Sequence, residues 1–344
     1  MTVPWQSGLT VRRGPVAVRL EQRMLMASLS LLLLIVTLML VGLCFGVQWS
    51  SPWTVLQGLA GHGDSSVVIQ EWRLPRVVAA VVFGAALGLS GAIFQSLTRN
   101  PLGSPDVLGL DAGAYTGVLL ALTVGGGAAV AISVGAAAGG LLVAGVLLLL
   151  TGTAAATGLR LVVMGIAVNA IVTAMNSWIV LRAELDVAIA GTAWSAGSLN
   201  GVGWEELTVP FAVIAVLAVA LLACARSVHQ TELGDQLAIT TGVGLGRLRP
   251  LVVLIGVGLT ASVTATAGPV VFVALAAPQI GRRLARAPGI AFGPAALTGA
   301  ALLLSADVAA QVALAPIIMP VGVVTTIAGG GYLVWLLIKE ARIR

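Results

Sequence analysis

Charge is what this 344-residue chain has least of. Asp, Glu, Lys and Arg together make up 9% of it, against about 25% in ordinary soluble proteins. Thirteen acidic and 18 basic side chains cannot solvate a compact body of this size, which excludes water as the solvent for most of the chain. Lysine is reduced to Lys339 alone. A phosphate-binding P-loop needs a lysine after its glycines, and Lys339 follows Leu336-Leu337-Ile338, so no nucleotide is held by that route. Histidine occurs only at His62 and His229, neither in a Cys, His and acidic cluster of metal-ligand spacing. No metal, no other cofactor and no Ser/His/Asp arrangement is expected. Cys44 and Cys224 lie far apart in apolar runs, which suits buried free thiols and excludes a disulfide framework.

What the chain has instead is 58% hydrophobic residues and a mean hydropathy of +1.06. A membrane span needs about 20 mostly apolar residues. On that scale ten spans are expected, at 24–47, 74–97, 107–124, 128–150, 160–181, 207–225, 248–267, 269–281, 291–315 and 317–338. Gly125-Gly126-Gly127 separates the third from the fourth. The eighth is too short for a full span and reads as a broken helix between Gly268-Pro269 and Pro278. The fold class is therefore all-α, a polytopic membrane protein. Residues 1–23 form a polar tail, 24–338 one transmembrane domain with a polar insertion at 226–249, and 339–344 a second tail. The apolar stretch after the first tail is too long for a cleavable signal.

The pI of about 10.2 does not point to nucleic acid, because 17 of the 18 basic residues are arginines placed between apolar runs. With ten spans and an inside N-terminus, 15 of the 18 basic residues face the cytoplasm, and only Arg73, Arg76 and Arg182 face out. That split obeys the positive-inside rule and predicts a multi-pass plasma-membrane protein with both termini cytoplasmic.

Arg73-Leu74-Pro75-Arg76 stands at the outer mouth against that trend. It serves either as an interfacial anchor or as a docking point for an acidic patch, since arginine presents a planar fork to carboxylates. Gly84, Gly88 and Gly91 in the second span have the spacing of close helix packing. Asn169, Thr173 and Asn176 share one face of the fifth span, suited to helix–helix hydrogen bonding or to lining a polar conduit. Asp307 lies well inside the ninth span, bonded to a neighbouring helix or standing on a substrate path. One such carboxylate is thin support for an ion-coupled carrier, and no reactive pair supports an intramembrane enzyme. The insertion carries Glu232-Leu233-Gly234-Asp235-Gln236-Leu237-Ala238 and Thr241-Gly242-Val243. A short glycine-broken helix standing out of the membrane is a natural contact for a cytoplasmic partner.

Three stretches in order resemble the FecCD family, the membrane subunits of ABC importers for iron–siderophores, haem and vitamin B12. They are Arg73-Leu74-Pro75-Arg76 through Asn100-Pro101-Leu102; Gly268-Pro269 through Phe272-Val273 to Pro278; and Gly299-Ala300 through Asp307 to Pro320-Val321-Gly322. The resemblance implies a type II importer permease: ten helices per subunit, two permease subunits around a central path, two cytoplasmic ATPase subunits and an extracytoplasmic binding protein. It implies that Arg73 and Arg76 dock that binding protein. It places ATPase coupling on Glu232, Leu233, Gly234, Asp235, Leu237 and Gly242, and the outer gate at 182–206 with the Asn169, Thr173, Asn176 face. The implied cargo is a ferric siderophore, with haem or cobalamin as alternatives. Four positions depart from the family pattern: Gln279 stands for His, Gln311 for a basic residue, Ile318 for an acidic one, and Gly329-Gly330-Gly331 for a Gly-Pro turn. The losses at Gln311 and Ile318 favour a heterodimer in which the second permease keeps those charges.

Overall fold

The computed structural model describes residues 8–13, 16–46, 49–63, 65–124, 127–151, 158–312 and 319–341. Ile318 lies outside them, as do Arg342 and Arg344. Helices make up nearly all of the described chain. They are α1 (Gln22–Cys44), α2 (Pro52–Leu59), α3 (Leu74–Thr98), α4 (Leu110–Val124), α5 (Ala129–Thr151), α6 (Gly158–Arg182), α7 (Leu185–Ser195), α8 (Trp204–Thr231), α9 (Asp235–Thr240), α10 (Leu245–Ala267), α11 (Val273–Ala285), α12 (Phe292–Val312) and α13 (Val321–Ala341). A π-helical turn, Val68–Arg73, runs into α3, and a 3-10 turn, Asp106–Leu108, precedes α4.

Ten of these helices match the ten expected spans in order. Seven are long and apolar enough to cross a bilayer: α1, α3 with its π-turn, α5, α6, α8, α10 and α12. Apolar α4 and α13 are shorter. The thirteen residues of α11 extend only about 20 Å at 1.5 Å per residue, as expected of a broken helix. Gly268 (φ 71°) and Phe272 (φ 71°), both left-handed, set its start. At 204–231, α8 is longer than the 207–225 expected. Its polar ends continue the helix past the apolar stretch, and the Gly203 N–H donates to Glu206 Oε2 at 3.0 Å to begin it.

The expected polar tail contains an antiparallel hairpin, β1 (Gly8–Arg13) and β2 (Val16–Glu21), with Leu9 opposite Leu20 and Val11 opposite Val18. It runs directly into α1. Its signal was the alternation on either side of Gly14-Pro15.

The core is built around α3, which buries Phe83, Leu87, Ile93 and Phe94 completely or nearly so. It packs on α10, α11 and α12. Where α3 crosses α12 the backbones touch: a Cβ at Gly84 would strike the Gly299 carbonyl, and one at Gly299 would strike that of Gly84. Small residues allow this approach, and without water dispersion from close packing holds the helices together. Ser90 Oγ adds a bond to α10, donating to the Gly256 carbonyl at 2.8 Å. A second cluster gathers α4, α5 and α6, with α10 reaching both. Leu29, Leu33 and Val36 leave the outward side of α1 apolar and exposed, as a lipid-facing surface requires.

Candidate functional site

The chain has two specialised ends, joined by a buried bundle. At one end, α3 begins. Arg73 donates through Nη1 to the Leu43 carbonyl at 2.8 Å, the Cys44 carbonyl at 3.3 Å and Ser50 Oγ at 3.0 Å. It thereby satisfies carbonyls that the end of α1 leaves open. One turn on, Arg76 meets Asp307 of α12 in a two-pronged ion pair. Nε donates to both carboxylate oxygens at 3.1 Å and Nη2 to Oδ1 at 2.8 Å. Gln311 Nε2 completes the carboxylate at 2.8 Å. The Asp307 side chain is 0% exposed and that of Arg76 13%. Asp307 is thus bonded to the neighbouring α3 and to Gln311 of its own helix.

Above this pair opens a cavity of about 900 Å³, lined among others by Trp72, Arg73, Arg76, Trp204, Glu205 and Gln311. Trp49, Trp53, Trp72 and Trp204 are exposed, and Trp204 Nε1 donates to the Gln70 carbonyl at 2.9 Å. Arg73 and Arg76 are the basic groups among the described residues that line this cavity.

Beside the cavity, the turn after α7 forms a junction that sequence reasoning missed. The Ser198 N–H donates to the Ala267 carbonyl at 2.7 Å and the Gly322 N–H to the Gly197 carbonyl at 3.0 Å. A Cβ at Gly197 would strike the Pro269 carbonyl, and one at Gly322 the Ala196 carbonyl. Gly268-Pro269 and Pro320-Val321-Gly322 were visible as motifs, but nothing in them tells that they meet the 195–199 turn. The rings of Tyr115 and Trp194 stack at 6.3 Å, tying α7 to α4.

The polar face of α6 is divided. Asn176 bonds across to α4, its Nδ2 donating to the Ala112 carbonyl at 2.8 Å and its Oδ1 accepting from Thr116 Oγ1 at 2.6 Å. Asn169 lies against Gly109, and Thr173 is exposed.

At the opposite end, α9 stands between α8 and α10, bracketed by Gly234 (φ 109°) and Gly242 (φ 89°). Ala238 faces inward while Leu233, Leu237 and Ile239 are exposed. Asp235 accepts from Arg99 at 2.6 Å and from Arg249 at 2.7 Å. The bond from Arg249, with the charges of both arginines, holds the Asp235 carboxyl below the usual carboxylate range against the effect of burial. Glu232 Oε1 accepts the Ile290 N–H at 2.6 Å, a contact the sequence did not suggest. These bonds tie α9 and its neighbours to the end of α3, the start of α10 and the link before α12. A smaller cavity of about 360 Å³ opens here, with Arg99, Glu232 and Arg282 on its wall. Nearby, Gln279 Nε2 donates to the Pro101 carbonyl at 2.5 Å.

The model of the FecCD transport family matches residues 32–339. The chain belongs to the FecCD transport family. The ferric enterobactin transport system permease protein FepG of Escherichia coli K12 is 42% identical over 324 residues, covering 94% of this chain and 98% of the relative. The vitamin B12 import system permease protein BtuC of Salmonella paratyphi A is 35% identical over 322 residues, covering 92% and 95%. Among solved structures, a transporter assigned to the metal-chelate ABC type, in an inward-facing conformation, superposes with a TM-score of 0.79 at 25% identity, covering 92% of this chain and 99% of that one. The permease is thus a membrane subunit of an ABC importer and carries out transport, not bond chemistry.

Proposed function

We propose that this permease forms half of the path for a ferric siderophore, with the Arg73 end facing outward and the α9 end facing the cytoplasm. The likeness to FepG along nearly the whole chain carries the cargo reading. The arginine split supports the orientation, with both tails on the cytoplasmic side. An extracytoplasmic binding protein presents acidic groups to the rim around Arg73 and Arg76, whose guanidinium groups remain partly accessible beside the 900 Å³ cavity. The ATPase subunits grip Leu233, in the turn before α9, and Leu237 and Ile239 of α9, an exposed apolar set at a helix too short to fold alone. Their motion reaches α3 through Asp235 and Arg99, and the link before α12 through Glu232 and Ile290. α7 and the Gly197 junction form the outer gate.

The path runs along the accessible flank of α6, where Thr173, Ser177, Ala170 and Ala174 are small and exposed. Asn176 sits behind that wall and holds it to α4, while Asp307 braces α12 against α3. The second permease is a different chain, because Gln311 leaves this rim one basic group short of the family pattern and a non-identical partner can supply it.

The test is uptake by proteoliposomes containing this permease, its second permease and the ATPase, with binding protein and ATP supplied. Labelled ferric catecholate is expected to accumulate. Preferential uptake of cobalamin or haem would replace the cargo. Uphill transport by this chain alone on an ion gradient would overturn the ABC mechanism. Recovery of a complete transporter holding two copies of this chain would overturn the heterodimer.

A further inference from the structure

Helix α13 carries three consecutive glycines, Gly329-Gly330-Gly331, inside its 21 residues. Glycine is the weakest helix former after proline, so a helix that needed only to be straight would not place three together. One of them has a packing reason. Gly329 is buried, and a Cβ there would strike the Phe272 side chain at Cβ and Cγ. The other two have none: among the described residues nothing outside the helix's own backbone lies within 4 Å of a Cβ built at Gly330 or Gly331.

Phe272 is itself held in a costly posture. Its backbone is left-handed (φ 71°, ψ −25°), which an aromatic residue adopts only where its surroundings compel it. The Phe272 N–H donates to Asp106 Oδ2 at 3.3 Å, and its carbonyl accepts the Ala276 N–H at 2.9 Å as α11 begins. These two bonds fix the backbone, and the backbone aims the side chain at Gly329. A return to ordinary φ would turn it away.

On either side of this contact α13 is fastened to different parts of the fold. At its start Val321 is buried and the Gly322 N–H bonds the Gly197 carbonyl. Beyond the glycines, Tyr332 Oη stands 3.5 Å from Gln279 Oε1 of α11, and Gln279 in turn bonds the Pro101 carbonyl in the link after α3. One half of α13 thus belongs to the junction beside the large cavity, and the other to α11 and that link.

We propose that Phe272 is a positioning residue for transport: its side chain wedges α13 at Gly329, and α13 bends at Gly330-Gly331 when the α10–α11 turn withdraws the wedge. The bend lets the junction end of α13 move while the Tyr332 end stays on α11, or the reverse. A straight helix would force both ends to move together. The close fit at Gly329 holds one state, and the weak helix at Gly330-Gly331 admits the other, which is the kind of two-state element that coupling between distant sites requires. Glycines also let helices approach closely, so the competing explanation is a seat for the second permease, and the same variant separates the two.

The test is a distance measurement by pulsed electron paramagnetic resonance on the complete transporter in lipid nanodiscs. Spin labels go on Thr326→Cys and Ile338→Cys, both exposed, in a Cys44→Ala, Cys224→Ala background. The two positions lie about 18 Å apart along a straight helix. Between the nucleotide-free state and the state trapped with ATP and vanadate, the distance should shift by several ångström. Gly330→Ala combined with Gly331→Ala should abolish that shift and raise the thermal midpoint. Uptake by the same variant at saturating binding protein should fall at least several-fold, with the half-saturating concentration unchanged. Phe272→Ala should broaden the nucleotide-free distribution. A wild-type distance that does not change, or full movement and full uptake in the double alanine variant, overturns the proposal. So does a double alanine variant that no longer assembles with its second permease, which would make the glycines a packing seat. Should Phe272→Ala fail to fold, the double alanine variant alone decides. The distances are independent of which cargo is carried, so they hold even if another chelate replaces the ferric siderophore.

Discussion

Arg76 and Asp307, 231 positions apart in the chain, are locked fork to carboxylate in the interior, joining the first turn of α3 to the last two turns of α12. The arginine singled out as a docking charge is thus also a structural strut. Replacing either partner alone strands a buried charge and should cost about 3–5 kcal/mol, whereas an apolar pair in their place should be close to neutral. Thermal unfolding in detergent should therefore fall steeply for Arg76→Met and for Asp307→Leu and recover in the double variant. The recovered double variant separates the two roles. Normal capture of the binding protein by it would remove Arg76 from the docking surface, while a folded transporter that no longer engages the binding protein would keep it there. Charge reversal at Arg76 is a poorer probe, because it sets a second carboxylate against Asp307.

The Asp235 clamp should transmit force from α9. Asp235→Asn weakens the hold of Arg99 and Arg249, and transport should drop at least several-fold while membrane levels and binding-protein capture stay unchanged. Uptake equal to wild type would show that α9 moves α3 by packing alone.

The same carboxyl sets a pH dependence. Its pKa in the folded chain lies below the unfolded value, so its contribution is fully present above the ordinary carboxylate range and disappears as pH falls through the lowered value. Hydrogen exchange in α9 should be insensitive to pH-driven loosening around neutrality and should rise, beyond the intrinsic rate, only in strong acid. Asp235→Asn should abolish that acid-dependent rise.

The α3–α12 crossing tolerates no side chain. Gly84→Ala or Gly299→Ala places a Cβ against a backbone carbonyl and should destabilise by about 1–3 kcal/mol, the usual range for overpacking. Gly145→Ala, with open space around the new Cβ, should change stability by no more than about 0.5 kcal/mol. Unfolding temperatures of the three variants make the comparison.

On α6, Asn176→Leu removes two bonds to α4 and should cost about 1 kcal/mol, in line with interhelical hydrogen bonds in membranes. Thr173→Trp should leave stability unchanged and obstruct uptake if the exposed flank lines the path. Full uptake with Trp at 173 would place the path elsewhere.

The helices were legible because apolar length and arginine placement are properties of consecutive residues. The ten segments fall near where hydropathy places them, and Gly268-Pro269 is where α10 ends, but α11 starts only at Val273 and runs on through Pro278, which was expected to bound it. The glycines of α3 announced close packing but not their partner, since Gly299 lies more than 200 positions away. Pairings were hidden for the same reason. Asp307 was visible as a costly carboxylate, yet only the fold shows that Arg76 neutralises it. Asp106 drew no notice beside Asn100-Pro101-Leu102 because an acidic residue in a turn looks solvated on paper. The hairpin was missed because its twelve paired residues sit among arginines, and polarity suggested a tail.

Gly197, Gly268 and Gly322 bring three separate stretches of main chain into direct contact. Rotamer changes cannot cushion such a joint, because no side chain lies between the touching atoms. The three stretches must therefore shift as one rigid piece or part altogether, since packed backbone does not deform by degrees.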